Sequence, residues 1–296
     1  MKVLPRLTAV LVAGLAGAGC ATPKADDAPR GRLVLPGGPA PALAALPGGE
    51  LLAGFLRTGT IWRVSPNRPP RREDVPRLHV STAGQRGLLG LAVVRGTIYA
   101  SWTTPGRRLV VGRLRPKAAP VTIWRGVAST TLANGGHLSA TPGDQLAIGI
   151  GDRQAGTPQG RMLVLDPRGA ATQRPATLST GWNNPFAFAY LPGGDLWVAD
   201  NAPGKRPERL ARGDASGSPV TGLGRRPAAS GVAALGPRTL ALCGVVSGTL
   251  DRYELEQDGR WRFDGTIARG CRYGVVRLTD GRLAFSADDG VRTIRP

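Results

Sequence analysis

The stretch TLANGGHLSATPGDQLAIGIGD, residues 131–152, gathers the few residue types in this chain that carry proton chemistry. It holds His137, one of two histidines in 296 residues, behind a Gly-Gly pair, and it ends on Gly151-Asp152. An imidazole with a carboxylate partner makes a general base, because the carboxylate orients the ring and stabilises its protonated form. A lone His opening an apolar alternating run is more often a packed strand residue, so both readings stand at this point. The sequence has no Cys-x-x-Cys, no P-loop and no Gly-x-Ser-x-Gly. It therefore lacks the signatures of dithiol redox enzymes, P-loop nucleotide hydrolases and nucleophile-elbow hydrolases.

Groups of this kind need elements to position them, and the elements here are short. Hydrophobic residues make up 41% of a chain with 43 Gly and 26 Pro. Pro fixes φ and Gly permits positive φ, so the backbone must turn often. One unit recurs: an apolar strand, a tight Gly/Pro/Asp turn and a second apolar strand. It reads ALAALPGGELLAGF, LAVVRGTIYASW, HLSATPGDQLAIGI, FAYLPGGDLWVAD, VAALGPRTLALCG and VVRLTDGRLAFSA. Aligned after the turn, the anchors are Leu51, Ile98, Leu146, Leu196, Leu240 and Leu283, spaced by 47, 48, 50, 44 and 43 residues. Most units add a third strand signal, such as TIWRV or RLVVGRL; ERLAR in the fourth is weaker. A small sheet cannot bury both its faces alone, and repeats of about 40–50 residues solve this by stacking as propeller blades. The pattern predicts an all-β chain, a six-bladed β-propeller over residues 31–296. GRLVLP (31–36) is expected to close the ring as an outer strand of the last blade. A two-sheet sandwich does not predict six matching units.

In such a meander, residues just before each inner strand and just after each second strand meet at one rim. That rim set is Gln85, Ala133, Asn134, Asp152, Asn183, Asn184, Asp200, Cys243 and Cys271. Propellers keep their sites at such a mouth, where loops from several blades converge. Cys243 and Cys271 fall on adjacent blades at this rim and are expected to form a disulfide in an oxidising compartment. Two buried thiols are the other reading.

The compartment is read from the first twenty residues, MKVLPRLTAVLVAGLAGAGC. Lys2 and Arg6 make a basic start, and Leu7 to Gly19 is an apolar run too short for an ordinary membrane span. Small residues lead to Cys20, as in a bacterial lipoprotein signal, although Gly17 stands where such signals usually carry Leu. Residues 1–20 are expected to be the signal, Cys20 the lipidated residue and residues 21–30 a polar tether. A plain secretory signal cut nearby is the alternative. The formal net charge is +19. Arg is scattered beside Ala, Gly and Pro with no basic helix and no aromatic alternation, so no nucleic-acid partner is expected. The expected state is an extracytoplasmic, membrane-anchored monomer.

Four segments carry a resemblance. AGQRGLLGLAV (83–93), ANGGHLSATPGDQLAIGIGD (133–152), GRMLVLDP (160–167) and GWNNPFAFAYLPGGDLWVADNAP (181–203) resemble the glucose/sorbosone dehydrogenase family. The resemblance implies an exported six-bladed propeller using pyrroloquinoline quinone (PQQ) and calcium to oxidise sugars. Residue by residue it is mixed. The family's base is a His opening a His-Asn-Gly-Gly motif, and that position is Ala133 here, followed by Asn134; His137 lies four residues further along. About 3.3 Å per residue along a strand carries that ring far from the original place. Asp152 matches the Asp that orients the base, Gln85 and Asn134 fall at substrate positions, and Asn184 matches a cofactor contact. The two arginines that grip the quinone carboxylates align with Cys271 and Tyr273, with Arg272 between them as the remaining candidate. For calcium, Ala202 and Pro203 can offer carbonyls and Glu208 a carboxylate. The resemblance thus implies a sugar-dehydrogenase scaffold with weak or no oxidation, the alternative being a non-catalytic propeller that binds a glycan or a protein at the envelope.

Overall fold

The computed structural model describes residues 27–152, 160–202, 207–214, 218–224 and 227–296, and within them the chain is built of strands and turns, with no α-helix. The strand β1 (Arg32–Pro36) comes first and is held for the end of the ring. Blade 1 is β2 (Ala42–Ala45), β3 (Leu51–Gly54), β4 (Ile61–Ser65) and β5 (Arg68–Arg72). Blade 2 is β6 (Leu88–Val94), β7 (Thr97–Thr103), β8 (Arg108–Arg115) and β9 (Ala118–Ala128). Blade 3 holds β10 (Gly135–Ala140), β11 (Leu146–Ile150), β12 (Gly160–Leu165) and β13 (Ala176–Trp182). Blade 4 holds β14 (Ala187–Tyr190), β15 (Leu196–Asp200), β16 (Arg209–Arg212) and β17 (Val220–Gly222). Blade 5 is β18 (Ala229–Gly236), β19 (Thr239–Gly244), β20 (Thr249–Leu255) and β21 (Trp261–Arg269). Blade 6 is β22 (Gly274–Arg277), β23 (Leu283–Ala287) and β24 (Gly290–Ile294), and β1 completes it, pairing antiparallel with β24 through Arg32–Thr293 and Pro36–Gly290.

The six-bladed propeller is therefore as the repeat predicts, down to the N-terminal strand that shuts the ring. Every anchor from Leu51 to Leu283 opens, or stands one residue inside, the second strand of its blade. Two of the fourth, outermost strands carry little apolar signal in the sequence. RPPRR in β5 and VTG in β17 lie at the perimeter with one or both faces in water.

The packing explains why the second strands read as unbroken apolar runs. Successive side chains on a strand point to opposite faces, and here each face meets a different neighbour. In β11, Leu146, Ile148 and Ile150 pack towards blade 2, whereas Ala147 packs with Phe188 and Val198 of blade 4. In β19, Leu240 and Leu242 join Trp197 of blade 4, and Ala241 and Cys243 join Val275 and Phe285 of blade 6. The core consists of six such clusters, one at each blade interface.

Candidate functional site

The axis of the ring carries two cavities. The one at the rim, a mouth of about 200 Å³, is lined by Leu56, Arg57, Gln85, Leu89, Gly135, Asn184, Phe186, Asn201, Ser230, Val245 and Tyr273 among others. A second, of about 320 Å³, runs between the later halves of the inner strands and is lined by His137, Ser139, Phe188, Tyr190 and Arg277 with Ala and Val residues.

The mouth is built by loops that brace one another. After β15 turns up to the rim, Asp200 is fully buried and accepts from the backbone amides of Asn183 and Asn184 and from Asn183 Nδ2, at 2.8–3.1 Å. Burial pushes its carboxyl above the ordinary range, and the Asn184 amide and Arg209 oppose that push. Arg209 donates through Nε at 3.3 Å and lies over the Trp182 ring. With its backbone held in this way, Asn184 accepts the Gly135 amide on Oδ1 at 3.0 Å, which joins blade 4 to blade 3. On the other side, Gln85 donates its own amide to Thr131 O and accepts the Ala133 amide on Oε1 at 2.8 Å.

That last bond fixes Ala133. It is buried and holds φ +50, a conformation costly for a residue with a Cβ. Gly135 and Gly136 follow with φ +66 and +101, and a Cβ on Gly135 would stand 2.2 Å from Gly149 O. The Ala-Asn-Gly-Gly backbone is thus a turn that only its glycines can make.

Other residues singled out in the sequence lie as follows. Asn134 does not line the mouth; its side chain caps its own loop, accepting from Thr130 N at 2.7 Å and donating to Thr130 O at 2.9 Å. Asp152 is buried behind the rim, where its amide donates to Asn183 O. The Cys243–Cys271 disulfide is present, with Cα atoms 5.4 Å apart and both residues fully buried. Arg272 is ion-paired with Asp288 at 2.9 Å and donates to Val245 O, and Tyr273 Oη donates to the same Asp288 at 2.7 Å. Burial, then this carboxylate, pushes the Tyr273 phenol up. His137 lies below the mouth, its ring edge-on to Phe188 at 4.8 Å and 5.8 Å from Phe186, the residue that lines the mouth above it. Enclosure lowers its pKa to about 4, so it is neutral at neutral pH.

Arg57 is the mouth residue that sequence reading missed. It follows the second strand of blade 1, at the position class that supplied the other rim residues. One more arginine among 39 Lys and Arg gave it no distinction.

The chain has the fold of the soluble PQQ-dependent sugar dehydrogenases. It aligns with the PQQ-bound aldose sugar dehydrogenase of Streptomyces coelicolor at TM-score 0.71 and 21% identity, covering 88% of this chain and 96% of that one. A putative glucose dehydrogenase from Thermus thermophilus gives 0.70 and 24%, over 90% and 98%. The apo-form aldose sugar dehydrogenase of Escherichia coli gives 0.70 and 19%, over 88% and 96%. No protein-family model and no curated protein matches the sequence.

The dehydrogenase fold implies PQQ and calcium, and the described residues do not fit either. PQQ carries three carboxylates, while Arg57 is the single cation among the described residues lining the mouth and Arg272 is neutralised by Asp288. The mouth is also below the roughly 300–1,000 Å³ of ordinary ligand clefts. For calcium, Pro203 lies outside the described residues, Ala202 is buried and could bring only its backbone carbonyl, and Glu208 is buried with Oε2 accepting the Ala228 amide at 2.9 Å. Among the described residues no three His, Cys, Asp or Glu side chains gather closely enough to hold a metal ion, whereas calcium takes about six to eight oxygens.

Proposed function

We propose that this chain is an exported lipoprotein in which a sugar-dehydrogenase propeller serves as a binding module, holding a saccharide at its mouth without oxidising it. The observation that carries this reading is Ala133 at the family's base position, its amide taken up by Gln85. Sugar oxidation needs a base within hydrogen-bond reach of a hydroxyl, with a pKa near the working pH. The ionisable side chains among the described mouth residues are Arg57 and Tyr273. One stays protonated and the other is pushed further up. His137 does not line the mouth; it lines the second cavity, its ring 5.8 Å from Phe186.

The retained Gln85, Asp152 and Asn184, on a dehydrogenase fold, favour residual PQQ-dependent oxidation as the second reading. One assay separates the two. Purified protein incubated with PQQ, calcium and common aldoses should give no reduction of an artificial electron acceptor, while glycan binding stays measurable. Robust turnover would establish the second reading instead.

A further inference from the structure

Beside Asn201, Ser230 and Tyr273, the mouth carries two amides turned by their partners and one arginine. Gln85 has one lone pair of Oε1 taken by the Ala133 amide and Asn184 one of Oδ1 by the Gly135 amide, so the group each keeps wholly for a ligand is the NH₂. Asn184 is only 6% exposed and lines the cavity. Arg57 adds a charge. Its Nη1 is bound by the carbonyls of Thr82 and Arg86, which leaves the Nε–Nη2 edge open, the edge that takes a carboxylate as a two-pronged fork.

Nothing in the described wall offsets that charge. No Asp or Glu lines the mouth there; Asp288 near it is occupied by Arg272 and Tyr273. Arg86, one residue beyond Gln85, is itself a buried guanidinium satisfied by the carbonyls of Thr130 and Ser129. The floor is apolar, with Leu56, Leu89, Phe186 and Val245, suited to the C–H face of a sugar ring.

Resting on the binding reading above, we infer that the mouth takes an acidic sugar, a uronate or another sugar acid, with its carboxylate on the Arg57 fork and its remaining oxygens on Asn184 Nδ2 and Gln85 Nε2. One fork serves one carboxylate, which matches a monosaccharide acid and not a tricarboxylate.

The test is calorimetric titration of detergent-solubilised full-length protein with D-glucuronate, the neutral D-glucuronamide and D-glucose. Glucuronate should bind roughly ten- to a hundredfold more tightly than either neutral sugar, the range expected of a charge-assisted fork. Arg57→Gln should bring it down to the level of glucuronamide. Arg57→Lys should fall between, because the charge stays and the fork is lost. The comparison with glucuronamide needs only the wild type and so survives a variant that does not fold. Equal affinity for all three sugars would overturn the acidic preference and leave the binding reading standing. Absence of binding by any of them would overturn both.

Discussion

An amide side chain whose oxygen already accepts a backbone N–H keeps its NH₂ as the group wholly free for whatever comes next. That rule gives Gln85 and Asn184 their polarity, and it also bears on Ala133. Restoring the family's base by Ala133→His would put an imidazole on a residue at φ +50, above a wall with one cation for three quinone carboxylates. We expect no acceptor reduction from Ala133→His with PQQ and calcium; turnover above the wild-type blank would show that the base alone was missing. His137 makes a different prediction. Its folded pKa of about 4 lies below the unfolded value of about 6.5. Between those values the unfolded chain binds the extra proton, so stability falls as pH drops through that window, by at most about 1.4 kcal/mol per pH unit. Denaturant midpoints at pH 7 and pH 4.5 should therefore converge in His137→Gln relative to wild type, and an unchanged gap would show that the imidazole is not held neutral. The sequence made it legible that Ala133 stands where the resemblance expects a His. It did not reveal the donors, because which end of an amide faces the cavity is settled by a partner on another blade.

At the scale of elements, the second strands carried most of the legible signal. Both their faces are buried against different neighbours, so their residues had to be apolar throughout, and the recurrence of that run every 43–50 residues gave the blade count. The outer strands β5 and β17 did not show because one or both of their faces meet water. The staple between blades 5 and 6 was legible for a geometric reason: Cys243 ends a second strand and Cys271 precedes an inner strand, and a propeller brings those positions together. Its sequence separation of 28 residues lets a chain-entropy argument assign it about 3–4 kcal/mol. Cys243→Ser with Cys271→Ser should lower the guanidinium midpoint accordingly, with native spectra at low denaturant. Titration of wild-type protein, unfolded without reductant, should find no free thiol from this pair. Two reactive thiols there would refute the bridge.

The whole molecule carries its charge on arginines scattered along the sequence. Lys2 and Arg6 account for two of the +19, and +17 stays on residues 21–296. Many arginines are tied locally, as in Arg63 with Glu50 and Glu73 or Arg262 with Glu254 and Glu256. A charge so dispersed favours loose attraction to anionic envelope polymers and lipid head groups, but it fixes no orientation. On the lipoprotein reading proposed above, stable attachment comes from the lipidated Cys20. Cys20 lies ten residues before Arg30, and the described chain enters the fold where Arg292 donates to Gly31 O and β1 zips onto β24. A single acyl chain gives only marginal, reversible binding, whereas the multiply acylated cysteine of a lipoprotein does not release. Replacing Cys20 with Ala should move the protein from the membrane fraction to the soluble extracytoplasmic fraction, with the propeller's denaturant midpoint unchanged. A high-salt wash of wild-type membranes should release little, since charge is the minor contribution. Wild-type protein recovered free in the medium, with residues upstream of Cys20 still attached, would end the lipoprotein reading, and the mouth would then work in solution.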